Sequence, residues 1–359
     1  MKTLIIDSSY LMYKSYFAYS SLFFEGKHIG AFFGFSKTIL QLISHFQPDQ
    51  LVFTNDTVKP TWRHNMRGDY KGGRAKIEDS LVLQIPLIQA WCKKISKNYF
   101  EVEGWEADDI IFSIAIEQLS NFSAVRKQKK ILQYSTISNN IFENPSNNPD
   151  FPYCFTDLLK DSNSNANSIF VFSADKDLYQ MLGLPNLKFV NSSKIGLEEF
   201  GVDDFKQKYS LNPLQWLDYK ALVGDASDNL SGVAGVGPKT ATTFLQNVGS
   251  LFSFYKYFSM DSSPFLRTSG GFWLGDGDSM MQSYLVNPKN QTLIQKLKDD
   301  HEIVKETYIL SALHPVPSVK FTNSGFDVSN GIDDLAKYSF KSLVSMSTKI
   351  NPQIEEGLF

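Results

Sequence analysis

Three short apolar runs do most to limit what this chain can fold into: Leu4-Ile5-Ile6, Leu51-Val52-Phe53 and Phe170-Val171-Phe172. Runs of this length read as buried strands. Each is followed within a few residues by aspartate: Asp7, Asp56, and the pair Asp175 and Asp177. Helical stretches lie between, at about 11–20, 32–46, 81–96 and 106–119, with a further strand at 99–102. Such alternation predicts an α/β chain with a mostly parallel central sheet flanked by helices. In a parallel sheet the C-terminal edge of the strands gathers the functional groups. One aspartate at such an edge is more often a helix cap or a turn residue, and Ser173 or Asp175 suits the cap of a helix beginning near Leu178. Four on one edge are harder to dismiss.

Two more acid clusters lie elsewhere. "EGWEADDII" puts Glu106, Asp108 and Asp109 at a helix start. The helix dipole favours one acid there, but three repel one another unless a cation is near. "LVGDASDNL" carries Asp225 and Asp228, three apart, able to face one way on a helical turn or to sit in a solvated loop. Oxygen donors alone suit Mg²⁺ or Mn²⁺. Nine acids imply two or more ions, and two ions roughly 3.5–4 Å apart are the usual device for in-line attack on a phosphodiester. With two cysteines and five scattered histidines, a Cys/His zinc site and a disulfide framework are both disfavoured, and a reducing compartment is expected. The start, "MKTLIIDSS", reads as a strand and not a signal peptide. No apolar run approaches a membrane span, so a soluble, cytoplasmic protein without a membrane partner is expected.

The net charge of −3 announces no nucleic-acid binder, so any such surface must be local. Between Lys59 and Lys76 six basic residues (Lys59, Arg63, Arg67, Lys71, Arg74, Lys76) face one acid, Asp69, with Trp62, His64 and Tyr70 interleaved. Charge for phosphates and rings for bases is what a nucleic-acid strand needs; a solvated loop is the plain alternative. "SGVAGVGPKTA" sets Gly232, Gly235 and Gly237 before a helix N-terminus at Pro238, where backbone N–H groups can hold a phosphate. Pro238 before Lys239 rules out a Walker A loop. With a helix over 213–223 this predicts a helix–hairpin–helix at about 213–248. The Asn/Ser-rich segment at about 121–168 reads as a partly disordered insert.

Together these motifs resemble the 5′-nuclease superfamily, the flap endonuclease and 5′-to-3′ exonuclease group. It includes the nuclease domain of bacterial DNA polymerase I and stand-alone phage enzymes. "LIIDSSYLMYKSYFA", "PTWRHNMRGDYKGGR", "GWEADDII", "FSADKDLYQML" and "LVGDASDNLSGVAGVGPKTA" follow the family's order. The resemblance implies a PIN-like nuclease core at 1–208, with a helical arch at about 56–80, and a C-terminal helical region at 209–359. It implies metal-dependent cleavage of DNA near a 5′ end, at flaps and single-strand/duplex junctions, in replication or repair. By motif, Asp7, Asp56, Glu106, Asp108, Asp109 and Asp175 would serve a first metal region and Asp177, Asp225 and Asp228 a second. Lys71 and Arg74 would steady the scissile phosphate, and Lys14 matches a basic position of the first motif. Arg63, Arg67 and Tyr70 would meet DNA in the arch. Gly235, Gly237 and Lys239 would grip the duplex, with K⁺ beside them. RNA–DNA hybrids and a separate polymerase are further expected partners, the chain acting as a monomer in a bacterial or phage-infected cell. Asn65 stands where the arch motif usually has Glu, Gly72-Gly73 lowers helix propensity beside Lys71, and the insert is longer than usual. An RNA-directed PIN-like nuclease and a catalytically inactive junction-binding relative stay as alternatives.

Overall fold

The computed structural model describes residues 1–118, 167–193, 196–262 and 277–351. Its centre is β1 (Lys2–Asp7), buried from Thr3 onward. Ile5 points to one side, and Leu4 and Ile6 to the other, the twofold period of a strand buried on both faces. The chain then passes through α1 (Ser8–Ala18), a small hairpin of β2 (Phe23–Phe24) and β3 (Lys27–His28), and α2 (Gly30–Phe46). It pairs β4 (Gln50–Asn55) with β1 in parallel. After α3 (Trp62–Met66), α4 (Asp79–Val82) and α5 (Ile85–Ile95), β5 (Tyr99–Glu101) extends the sheet beyond β4. Then α6 (Ala107–Glu117) leads back, and β6 (Ser168–Phe172) pairs on the opposite side of β1. β7 (Leu187–Ser192) follows in parallel and β8 (Leu197–Phe200) closes the edge antiparallel. The order is β5-β4-β1-β6-β7-β8. The sheet is thus mostly parallel, as the strand–helix alternation predicts, and its winding reverses between β1 and β6. That reversal opens a crevice at the strand C-termini.

The Leu4/Ile6 face is covered by α1, α2 and α5, and the Ile5 face by α6 and the 3₁₀ turn Asp177–Gly183. A Cβ on Gly34 would lie 2.5 Å from the Tyr19 ring and 2.9 Å from the Ser15 Cβ, so only glycine lets α2 seat this closely on α1, the helix that Asp7 starts. The helix expected at 81–96 is divided into α4 and α5. Pro86 stands in the first turn of α5, where its missing N–H is harmless but its ring bars helix continuing from before it. The helix expected near Leu178 is the 3₁₀ turn. β2, β3, β7 and β8 were not among the expected elements; two of them are two-residue strands, and β8 is an edge strand with Glu198 and Glu199 facing out.

After β8 come α7 (Val202–Tyr209), α8 (Trp216–Val223), α9 (Pro238–Val248) and α10 (Leu251–Tyr257), then helices Gln291–Asp299 and His301–Ser311. All join the Ile5-side cluster. The last helices, Ile332–Lys337 and Lys341–Ile350, belong to the other cluster with α2 and α5. The expected boundary at 208/209 therefore divides the sequence but not the core. The arch segment is helical only in α3 and α4; turns occupy 68–73 between them. The insert expected at 121–168 lies, save its last two residues, outside the described residues. Among the described residues no helix is long and apolar enough to cross a membrane.

Candidate active site

Strand ends deliver the acids to the crevice between β1 and β6. Asp7 closes β1 and caps α1: its Oδ1 accepts from Tyr10 N at 3.0 Å and its Oδ2 from the Ser173 hydroxyl at 2.8 Å. Asp56 follows β4. Its N–H donates to Ser9 Oγ at 3.0 Å and its Oδ1 accepts from Ala107 N at 2.9 Å, tying β4 to the first turn of α6, where Asp108 lies. Asp175 follows β6, donates its N–H to Ser173 Oγ and accepts from Asp177 N at 2.8 Å. Capping and clustering therefore coexist at the same carboxylates.

Four of these acids, Asp7, Asp56, Asp108 and Asp175, have no ion-pair partner among the described residues, although a salt bridge needs only a basic nitrogen within reach. They act on one another instead. Burial, then Asp56 and Asp175, push the Asp7 carboxyl up to about 7. Asp108 is held well above the usual carboxylate range by burial, then by Asp175, Asp7 and Asp56. Burial also raises Asp175, against the opposing pull of Lys220, Lys71 and Arg74. Such a set is short of positive charge, and hard oxygen donors fit a divalent cation. Among the described residues no three of His, Cys, Asp or Glu close into a cage. The carboxylates line an edge that runs from buried Asp7 to exposed Asp56, an arrangement suited to Mg²⁺, which keeps several waters and takes only one or two carboxylates.

The other five acids carry counter-charges from the chain. Asp109, expected as a ligand, is fully buried and bound by Arg63 through both oxygens, at 2.7 and 3.0 Å; His314 N also donates to its Oδ1 at 2.8 Å. It is a structural anchor and not a free donor. Arg63, expected on DNA, is itself buried, and all five of its N–H groups are used: two on Asp109, one on Glu106 and two on the carbonyls of Leu310 and Ala312. No donor remains for a phosphate. Tyr70, also expected on DNA, is 3% exposed, and its hydroxyl lies 2.9 Å from Asp228 and 3.3 Å from Glu106. Trp62 is buried too. These two rings thus anchor the segment to the core and offer no face to a base, while His64 is half-buried.

Glu106 meets Lys71 Nζ at 2.9 Å as well as Arg63, and despite its burial these cations hold its carboxyl below the usual range. Asp228 is buried between Tyr70 and Arg74, whose guanidinium is 2.8 Å away and half exposed. Asp177 and Asp225 are both paired with Lys220. Lys71 has left-handed backbone (φ +55) and its N–H donates to Asp228 O at 3.1 Å, so the segment pins the lysine against the acids at some conformational cost. Arg67 is shared by Asp69 and Glu306. Lys14 sits apart from the acids, bonded to Tyr10 Oη and Ser192 O, and burial lowers its pKa.

In the hairpin, Gly235 has φ +78 and Gly237 is the N-cap of α9; a Cβ on Gly237 would meet nothing within 4 Å. Lys239 is exposed, and Lys296 Nζ donates to Ala234 O at 3.0 Å. Neither Lys220 nor Lys296 was among the expected site residues. Lys220 had a readable signal, a lone lysine in the otherwise inward-facing "WLDYKALV" five residues before Asp225; Lys296 had none, being a surface lysine 62 residues from its partner.

Residues 2–134 match the family described as "5′-3′ exonuclease, N-terminal resolvase-like domain", and residues 211–320 match "5′-3′ exonuclease, C-terminal SAM fold". A 5′-3′ exonuclease of Mycoplasmopsis pulmonis is 30% identical over 250 residues, covering 70% of this chain and 68% of the relative. The chain belongs to the 5′-3′ exonuclease family. As a member it is a nuclease, a hydrolase acting on phosphodiester bonds of DNA. The DNA polymerase I of Lactococcus lactis subsp. cremoris is 30% identical over 261 residues, 71% of this chain, but the exonuclease spans only 25% of that relative's length. In fold it is similar to the bacteriophage T5 5′-exonuclease with bound zinc, with a TM-score of 0.57, 16% identity and 98% of each chain covered. The T5 flap endonuclease in complex with DNA and metal ions gives a TM-score of 0.56 at 16% identity, over 99% of this chain and 100% of that one.

Proposed function

We propose that this chain is a structure-specific 5′-to-3′ exonuclease and flap endonuclease that cuts DNA near 5′ ends, using Mg²⁺ or Mn²⁺ held by Asp7, Asp56, Asp108 and Asp175. The observation that carries this reading is the set of four carboxylates without ion-pair partners among the described residues at the topological switch point, three of them, Asp7, Asp108 and Asp175, raised by burial and by neighbouring acids. A divalent ion bound there would supply an activated water and a counter-charge for the leaving oxygen.

The chain's own residues do the rest. Asp7 and Asp56 are oriented by helix-cap bonds, so their free lone pairs are fixed in direction. Lys71, held on Glu106, brings an ammonium beside the acid set, and the half-exposed Arg74 can turn a free N–H to a phosphate oxygen. Phosphate orientation falls to these two; Lys14 acts by supporting the end of β7. Gly235, Gly237 and exposed Lys239 meet the duplex backbone, where an uncapped helix N-terminus leaves N–H groups for a phosphate. K⁺ at the hairpin would share Ala234 O with Lys296. RNA–DNA hybrids as substrates and action as a monomer beside a separate polymerase complete the reading.

The test is digestion of a 5′-end-labelled flap, a blunt duplex and a plain single strand by the same preparation. Faster release of a labelled flap segment than cleavage of the single strand supports the reading. Equal rates on all three would remove structure specificity.

A further inference from the structure

Lys220 lies in α8 among Trp216, Leu217, Ala221 and Leu222, all buried. Its side chain is only 6% exposed, yet it carries an ammonium between two carboxylates: it pairs with Asp177 and lies 2.5 Å from Asp225 Oδ2. Asp177 begins the 3₁₀ turn after β6, and Asp225 follows α8, so this ammonium joins the helical half to the sheet edge. The other oxygen of Asp225 accepts from Ser227 N at 2.8 Å and Ser227 Oγ at 2.6 Å. Burial alone would raise this carboxyl; Lys220 and Ser227 outweigh it and hold it at about 2. The third acid of this set, Asp228, is spanned by Tyr70 and Arg74. Every carboxylate here already has a cationic partner, in contrast to the Asp7 set.

We infer that Lys220 is the resident cation of the Asp177–Asp225 pair, and that a divalent ion enters this pair only by displacing its ammonium. The inference rests on the reading that the sheet edge binds divalent ions, and it makes the two acid sets unequal. An ion approaching Asp7, Asp56, Asp108 and Asp175 meets uncompensated negative charge. One approaching Asp177 and Asp225 meets a fixed positive charge in a confined site, where like charges repel strongly. Mg²⁺ also sheds its waters reluctantly, which favours an ammonium already seated. Lys220 is therefore a positioning residue that sets how many ions the protein holds without substrate.

The experiment is a titration of the full chain with Mn²⁺ alone, without DNA, with free Mn²⁺ read by electron paramagnetic resonance. Asp225→Asn is expected to bind as many Mn²⁺ as the parent, with the same affinity. Lys220→Met is expected to gain one further Mn²⁺, bound about tenfold or more tighter than any additional ion of the parent; Asp225→Asn added to it should remove the gain, and Lys220→Arg should behave as the parent. Loss of a bound Mn²⁺ in Asp225→Asn would overturn the inference, and that readout decides even if Lys220→Met fails to fold. A folded Lys220→Met that gains no ion would also overturn it. A parent that binds no Mn²⁺, or an Asp175→Asn variant that binds it unchanged, would instead sink the metal reading of the Asp7 set.

Discussion

Replacing Asp7 by asparagine should stabilise this protein while disabling it. Burial and the neighbouring Asp56 and Asp175 raise the folded carboxyl from its ordinary 3.8 to about 7. Between those two values the folded chain binds a proton that the unfolded chain has released, so unfolding free energy falls as pH rises and is lowest above about pH 7. Roughly 3 pH units at about 1.36 kcal/mol each put the burden of ionised Asp7 near 4 kcal/mol at pH 8. Asparagine keeps the acceptor for Tyr10 N but presents an amide N–H₂ to Ser173 Oγ in place of an oxygen, so about 2 kcal/mol of net gain is expected. For a chain of 359 residues that is a rise of about 2–3 °C in Tm. The assay is thermal melting in EDTA at pH 8 and pH 5. At pH 5 the folded Asp7 is already protonated, and the gain should fall below half. Excess Mg²⁺ should narrow the gap at pH 8, because an ion that binds only the folded parent stabilises it. An Asp7→Asn variant no more stable than the parent at pH 8 in EDTA would refute the account of the edge as a cluster of desolvated, mutually repelling acids.

Arg63→Met should cost roughly 3–5 kcal/mol in urea unfolding, since it leaves Asp109 buried and unpaired; a loss under about 1 kcal/mol would return Arg63 to the surface role expected from its motif. Lys71→Ala should lower single-turnover cleavage by about 10²-fold with little change in flap binding; an unchanged rate would show that the lysine serves only to hold Glu106. A Cβ on Gly237 would meet no protein atom within 4 Å, so Gly237→Val should nearly keep the Tm while duplex binding weakens more than single-strand binding. Equal binding of both substrates by variant and parent would make the hairpin a plain structural turn.

The acids at β1, β4 and β6 were legible because strand length and position dictate which edge they occupy, and an aspartate at a strand end needs no tertiary knowledge to be placed. The hairpin at Gly232–Pro238 was legible for a similar reason, since its glycines and proline act locally. Arg63, Tyr70 and Asp109 were misread because their roles depend on contacts across the chain: Arg63 is closed off by Leu310 and Ala312, some 247 and 249 residues away. A basic residue in a Gly-rich polar stretch looks the same in sequence whether it meets solvent or a buried carboxylate. The division of nine acids into four uncompensated and five paired likewise follows from where Arg63, Lys71, Arg74 and Lys220 land, which no spacing rule supplies.

The central claim is that Asp7, Asp56, Asp108 and Asp175 hold the divalent ion that cuts DNA. The direct measurement is single-turnover cleavage of a 5′-labelled flap by the parent and by Asp175→Asn, in EDTA and in Mg²⁺, with flap affinity measured separately in Ca²⁺. The parent should be silent in EDTA and recover fully on adding excess Mg²⁺. Asp175→Asn should cleave at least about 10²-fold more slowly in Mg²⁺ while binding the flap nearly as tightly as the parent. Parent-like cleavage in EDTA, or by Asp175→Asn in Mg²⁺, would contradict the account.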